Sequence, residues 1–109
     1  MTAPVRQSLD DVIASCDRIR TYVADPALPE ELVHDAVRMR LVDIAAAVQR
    51  LPPTMTEQEP AVPWSQVSAL AERLTRRAIE TPASVLIGTA RTDVPVLCAA
   101  ARRMRARCA

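Results

Sequence analysis

Apolar residues recur along this chain three and four positions apart, the spacing that gathers them on one side of an α-helix. In SLDDVIASCDRIRTYVAD the stripe is Leu9, Val12, Ile13, Cys16, Ile19 and Val23. Ser8, followed three residues later by Asp11, offers an S-x-x-D start signal for a first helix. Asp25-Pro26 ends it, because a residue preceding proline is disfavoured in the helical region. After the short link PALP, Pro29, Glu30 and Glu31 suit the first turn of a long second helix: proline loses no hydrogen bond there and the dipole favours acids. Its apolar face is Leu32, Val33, Ala36, Val37, Leu41, Ile44, Val48 and Leu51, and Pro52-Pro53 stops it.

Residues 52–63, PPTMTEQEPAVP, read as a loop. The stretch PWSQVSALAERLTRRAIETP then predicts a third helix with Trp64, Val67, Leu70, Leu74 and Ala78 inward, and with Trp64 as the central core residue. Thr81 suits the cap of a fourth helix with Pro82 at its first position. Gly88 and Pro95 break up the remainder, which predicts helices near 83–91 and 94–107 joined or kinked around residues 92–95. No alternating strand pattern competes. The short links imply antiparallel neighbours, so the expected fold is all-α: an antiparallel four- to five-helix bundle forming a single domain over residues 1–109, with a basic end at 100–109.

Composition supports a folded core. With 109 residues and half of them hydrophobic, the chain is long enough for one domain and too apolar for a disordered tail. No apolar run approaches the roughly 20 residues that span a bilayer, and MTAPVRQSLDD lacks the apolar centre of a signal peptide. The expected compartment is the cytoplasm, with no membrane contact.

Charge is nearly balanced overall, at +1, but unevenly spread. Residues 1–62 carry six Arg against ten acids, and residues 63–109 carry eight Arg against three. The halves can pair with each other inside one bundle or present surfaces of opposite sign to partners. All the basic residues are arginine, and the abundance of Ala and Arg suggests a GC-rich genome. Codon bias therefore explains part of the arginine content.

Few groups suit catalysis. His34 is the only histidine, and no Gly-rich loop or Cys–His signature accompanies it. A general acid or base needs a second group in reach; a surface or packed histidine fits His34 better. Asp10-Asp11 and Glu30-Glu31 read as helix-start acids. Cys16, Cys98 and Cys108 have no paired spacing, and a zinc site needs about four ligands; they read as buried or idle cytosolic thiols. No metal or cofactor is expected. Tyr22 and Trp64 are the only aromatics, too few for a base-stacking platform. Arg73, Arg76 and Arg77, with Arg102 and Arg103 of the basic end, remain as possible contacts for a partner or for RNA phosphates, although a solvated face and the helix dipole account for them without function.

Three segments carry a resemblance: DAVRMRLVDI in the second helix, the polar loop ending in PAVPW, and DVP at residues 93–95. In order and spacing they resemble the HepT-like members of the HEPN superfamily, small helical proteins of prokaryotic toxin–antitoxin systems, over nearly the whole chain from Leu9 to Leu97. The resemblance implies a metal-independent RNase motif, Arg-Asn-x-Leu-x-His-x-Tyr, in the cleft of a homodimer, and a cognate nucleotidyltransferase partner that can modify the Tyr. Here Ala71 stands for the Arg, Glu72 for the Asn, Arg76 for the His and Ala78 for the Tyr; only Leu74 matches. Ala45, Ala46 and Ala47 replace the family's Gly-Glu-Ala. Arg76 cannot replace the proton-transferring histidine, since its pKa exceeds about 12, and Ala78 has no hydroxyl to modify. The expectation is a non-enzymatic antitoxin that binds and neutralises a nucleotidyltransferase toxin, as a homodimer or a heteromer, with close helix approach at Ala45, Ala46 and Ala47. The alternative is an RNA-binding or residual RNase module acting through the arginines of the third helix and the basic end.

Overall fold

The computed structural model describes residues 2–75 and 83–108, apart from the side chains of Ala71, Thr75, Ala83 and Ser84. Every regular element among them is helical: α1 (Ala3–Ala24), α2 (Glu30–Gln49), the single turn α3 (Pro53–Thr56), α4 (Trp64–Thr75) and α5 (Ala83–Ala106). The chain is an all-helical bundle.

Directions follow from side-chain contacts. Arg50, just after α2, reaches Ser8 and Asp11 near the start of α1. Arg102 and Arg105 of α5 meet Asp17 and Asp10 of α1, in reversed order along the chain. Gln49 at the end of α2 donates to the Ser68 carbonyl near the start of α4, at 2.8 Å. So α1 runs antiparallel to both α2 and α5, and α4 runs antiparallel to α2. The helices α1, α2 and α5 form the packed centre, while α4 packs on α2.

The periodic stripes are the core. Leu9, Val12, Cys16 and Ile19 of α1 meet Val37, Leu41, Ile44 and Val48 of α2 and Leu86, Val94, Leu97 and Met104 of α5. Leu9, Ile19, Ile44 and Met104 are the largest side chains shut off from solvent. Trp64, expected at the centre, is instead half-buried at the edge. Its indole N–H needs an acceptor, and it finds one in the Glu59 backbone carbonyl at that edge. Leu32 is also misplaced by the pattern: it is 52% exposed in the first turn of α2, where the adjacent Val33 is the residue that turns inward.

Local signals mark some boundaries and miss others. Helix α1 ends where expected, with Asp25 in extended conformation and its carboxylate accepting the Ala27 N–H at 2.9 Å. Its start lies five residues before Ser8, at Ala3, with Pro4 in the first turn. Ser8 is buried inside the helix and donates to the Pro4 carbonyl at 3.0 Å. Asp10 and Asp11 therefore sit within α1 and not at its start. Helix α2 begins at Glu30 and ends before Pro52, as read. The loop 52–63 contains α3, and it buries Met55, Glu59 and Val62.

Helix α5 is the largest correction. Two helices broken near Pro95 were expected; one helix of 24 residues runs through it. Proline forfeits one N–H donor, but Leu86, Ala90, Val94, Leu97, Ala101 and Met104 lie along one buried stripe on both sides of it. Pro95 itself is exposed. Burial of that stripe outweighs one lost hydrogen bond. The expected cap at Thr81-Pro82 lies outside the described residues.

Truncating the enclosed Ile44 to Ala is expected to cost about 2–5 kcal/mol through lost burial and a residual cavity. Leu32→Ala, on the exposed turn, is expected to change stability by less than about 0.5 kcal/mol. Urea denaturation of the two variants measures both.

Candidate functional site

Among the described residues a groove lies beside α4, and the position of that helix creates it. Among the described side chains of α4 only Leu74 is buried; Trp64, Val67 and Leu70 are partly covered. Because α4 leans chiefly on α2 among the described residues, a groove of about 370 Å³ opens between α4 and α5. Leu41 and Ile44 of α2 form its floor, Val67 and Leu70 one wall, and Val94, Val96 and Leu97 the other. Val96 is 49% exposed, an unusual state for a valine on an apolar wall. Arg73 on the α4 side and Asp93 on the α5 side are the charged lining residues, both exposed and neither in an ion pair among the described residues. The groove thus offers an apolar trough with one positive and one negative rim group.

A buried carboxylate sets one end of this arrangement. The Glu59 side chain is only 9% exposed. Its Oε1 accepts from Arg103 Nε at 3.0 Å and Nη2 at 2.7 Å, and its Oε2 accepts from Arg107 Nη2 at 3.0 Å. Its backbone carbonyl accepts the Trp64 indole N–H at 2.9 Å. One residue thereby ties the 52–63 crossover to the start of α4 and to the end of α5. Hydrogen bonding from Arg103, aided by Arg107, holds the Glu59 carboxyl below the ordinary glutamate range, despite the opposing effect of burial.

The basic end is engaged in the same manner. Arg102 Nη2 reaches both oxygens of Asp17, at 2.9 and 2.8 Å, and Arg105 Nε donates to Asp10 at 2.8 Å. The acidic first half and basic second half are joined here within one chain. Arg102 and Arg103, candidate contacts for RNA or a partner, each keep about half of their side-chain surface in solvent but hold carboxylates of this chain. Elsewhere, the Tyr22 hydroxyl lies by Arg40 and Arg18, which lower its pKa.

Of the family motif positions, Leu74 is buried and Glu72 is exposed on α4. Ala71 lies in α4, but its side chain is outside the described set, and Arg76, Arg77 and Ala78 are outside the described residues altogether. Arg73 is the member of the third-helix arginine cluster that the structure places, and it is on the groove rim. His34 is mostly covered, with Nδ1 at 3.4 Å from its neighbour Asp35. It is not among the residues lining the groove. Ala45 and Ala47 are fully enclosed in the bundle, so the close approach they allow is used between helices of this chain.

Among the described residues no three His, Cys, Asp or Glu side chains converge to hold a metal ion. No described helix is long and apolar enough to cross a membrane. The residues of the site that sequence reading missed are Glu59, Asp93 and Val96. Glu59 was one acid among several in a polar loop, and the only hint was the apolar Met55 and Val62 flanking it. Asp93 lay within the segment read as a break, and Val96 in a helix to which no inward face was assigned.

The fold and groove define an all-helical protein with an open apolar trough. No protein-family model matches the chain, no curated protein matches it, and no solved structure matches it.

Because its folded pKa is depressed, Glu59 adds stability above its unfolded value, about 4.3, and loses it as pH falls through the folded value. Thermal melts of wild type are therefore expected to fall more steeply from pH 6 to pH 3 than melts of Glu59→Gln, with the difference between the proteins largest at neutral pH. Parallel pH profiles would show that Glu59 is not the linked group.

Proposed function

We propose that this chain is a non-catalytic interaction protein: a HepT-like, HEPN-type helical antitoxin that acts in the cytoplasm by binding a cognate nucleotidyltransferase toxin. The observation that carries the reading is the groove between α4 and α5. Its described lining is mostly apolar, with Gln66 and Thr89 polar and Arg73 and Asp93 charged, and no histidine, cysteine or tyrosine is among those lining residues. An apolar trough with charged rims suits the side chains of a protein partner. The sequence resemblance supplies the partner's class, and the replacement of its Arg, Asn, His and Tyr by Ala71, Glu72, Arg76 and Ala78 supplies the loss of enzymatic role.

The RNA-binding alternative draws less support. Arg102 and Arg103 are committed to Asp17 and Glu59, and phosphate binding has to compete with those carboxylates.

Coexpression with the nucleotidyltransferase encoded beside it is expected to relieve that enzyme's toxicity and to yield a copurifying complex. Val96→Glu puts an unpaired charge on the exposed apolar wall and is expected to weaken the complex at least about tenfold, ~1.4 kcal/mol, with the thermal midpoint of the free protein unchanged. Undiminished toxicity on coexpression with wild type defeats the proposal. Salt-sensitive RNA binding that Arg73→Ala weakens, without transferase binding, favours the alternative.

A further inference from the structure

The α5 wall of the groove continues beyond the groove itself. Leu32, Met39, Val85 and Val96 are the exposed large apolar side chains among the described residues, and the last two stand on α5. Val96 lines the groove and Val85 lies outside it. Eleven positions separate them, close to three full turns, so both point the same way from α5, about 16 Å apart along its axis. Thr89, between them, falls on the same line and also lines the groove. An exposed strip about three turns long therefore carries the groove toward the start of α5. Leu32 lies nine positions before the floor residue Leu41, half a turn out of phase, and so faces away from the groove.

Helix α4 opposes α2, whereas α5 runs with α2 because both oppose α1. The two walls are thus antiparallel, and Arg73, late in α4, lies toward the Val85 end of the strip. Arg73 marks the α4 wall with a positive charge and Asp93 marks the α5 wall with a negative one. Neither is in an ion pair among the described residues.

We propose that the groove and its extension along α5 take an amphipathic helix of the partner, with an acid on the flank facing Arg73 and a base on the flank facing Asp93. The proposal rests on the reading of this groove as the surface that binds the transferase, and it adds the shape and polarity of what enters. A small molecule seated in 370 Å³ leaves Val85 in water; a helix with apolar side chains three and four positions apart covers Val96 and Val85 together. Laid between α4 and α5 over the Leu41–Ile44 floor, it meets apolar side chains from three helices. Turning such a helix end for end exchanges its two flanks. Opposite charges on the two walls therefore select one direction, because the reversed helix sets like charges against each other.

The full chain is titrated by calorimetry with the transferase encoded beside it, at low and high salt. Val85→Glu is expected to weaken binding at least about tenfold by placing an unpaired charge on the strip, although Val85 lies outside the groove. Leu32→Glu, at an equally exposed residue facing away, is expected to change the affinity less than about twofold. Arg73→Glu and Asp93→Arg each reverse one rim and are expected to weaken the complex at least about tenfold, with a smaller loss at high salt. All four positions are exposed, and thermal melts of the free variants are expected to match wild type. A photo-crosslinking side chain in place of Val85 is expected to link to a helix of the transferase. Changing the acid on that helix to Lys is expected to restore affinity for Arg73→Glu. A complex that Val96→Glu weakens, but that Val85→Glu and both charge reversals leave intact, overturns the helix and its polarity while keeping the transferase as partner. A crosslink to an extended segment, or self-association of the free chain that Val85→Glu abolishes, also overturns the proposal. A wild-type chain that forms no complex with the transferase defeats the reading of the groove, and this proposal with it.

Discussion

The placement of Glu59 governs more of this structure than any stripe of leucines does. A carboxylate covered by the protein is costly unless its charge is met, and here two arginines from the end of α5 meet it. The same residue's carbonyl receives the Trp64 indole. Because the side chain faces α5 and the backbone faces α4, the crossover 52–63 cannot drift. It delivers α4 onto α2 at a set point, which Gln49 secures through the Ser68 carbonyl.

That set point leaves α4 short of α5 along the described residues, and the groove is the result. Its floor is Leu41 and Ile44 of α2, and its walls are faces of α4 and α5. A tightly closed bundle would bury Val67, Leu70 and Val96 against one another. Here they remain available to another surface, which is the physical basis for reading the protein as a binder. The opposite seam, between α1 and α5, is closed by ion pairs at Asp10 and Asp17 over the buried sulfurs of Cys16 and Cys98. One side of α5 is thus committed to the chain itself and the other is open.

Much of this was legible in the residues. The stripes of α1 and α2 named most of the core, and proline marked the ends of both helices, because periodicity and proline geometry act over a few residues. The signals that failed were also local. Ser8 looked like a cap, yet Pro4 opens the helix earlier and Ser8 turns to the Pro4 carbonyl. Pro95 looked like a break, but burial on both sides carries the helix through. Trp64 looked like a core residue by size, but its N–H drew it to the edge. The charge asymmetry of the two halves was visible and left open, and the pairing of Asp10, Asp17 and Glu59 with the basic end shows much of it joined within the chain.

By itself, the sequence determined that the chain is helical, where its main apolar faces lie, and that the motif of an RNA-cutting family is not spelled out in it. These follow from spacing and side-chain chemistry over short distances. The tertiary structure alone decided that Glu59 is a buried ion-pair node, that Arg102 and Arg103 hold this chain's own carboxylates, and that α4 and α5 leave a groove. Each joins residues from 44 to 85 positions apart or depends on the gap between two helices. No local pattern encodes such a distance, because it arises only when all the stripes are buried at once.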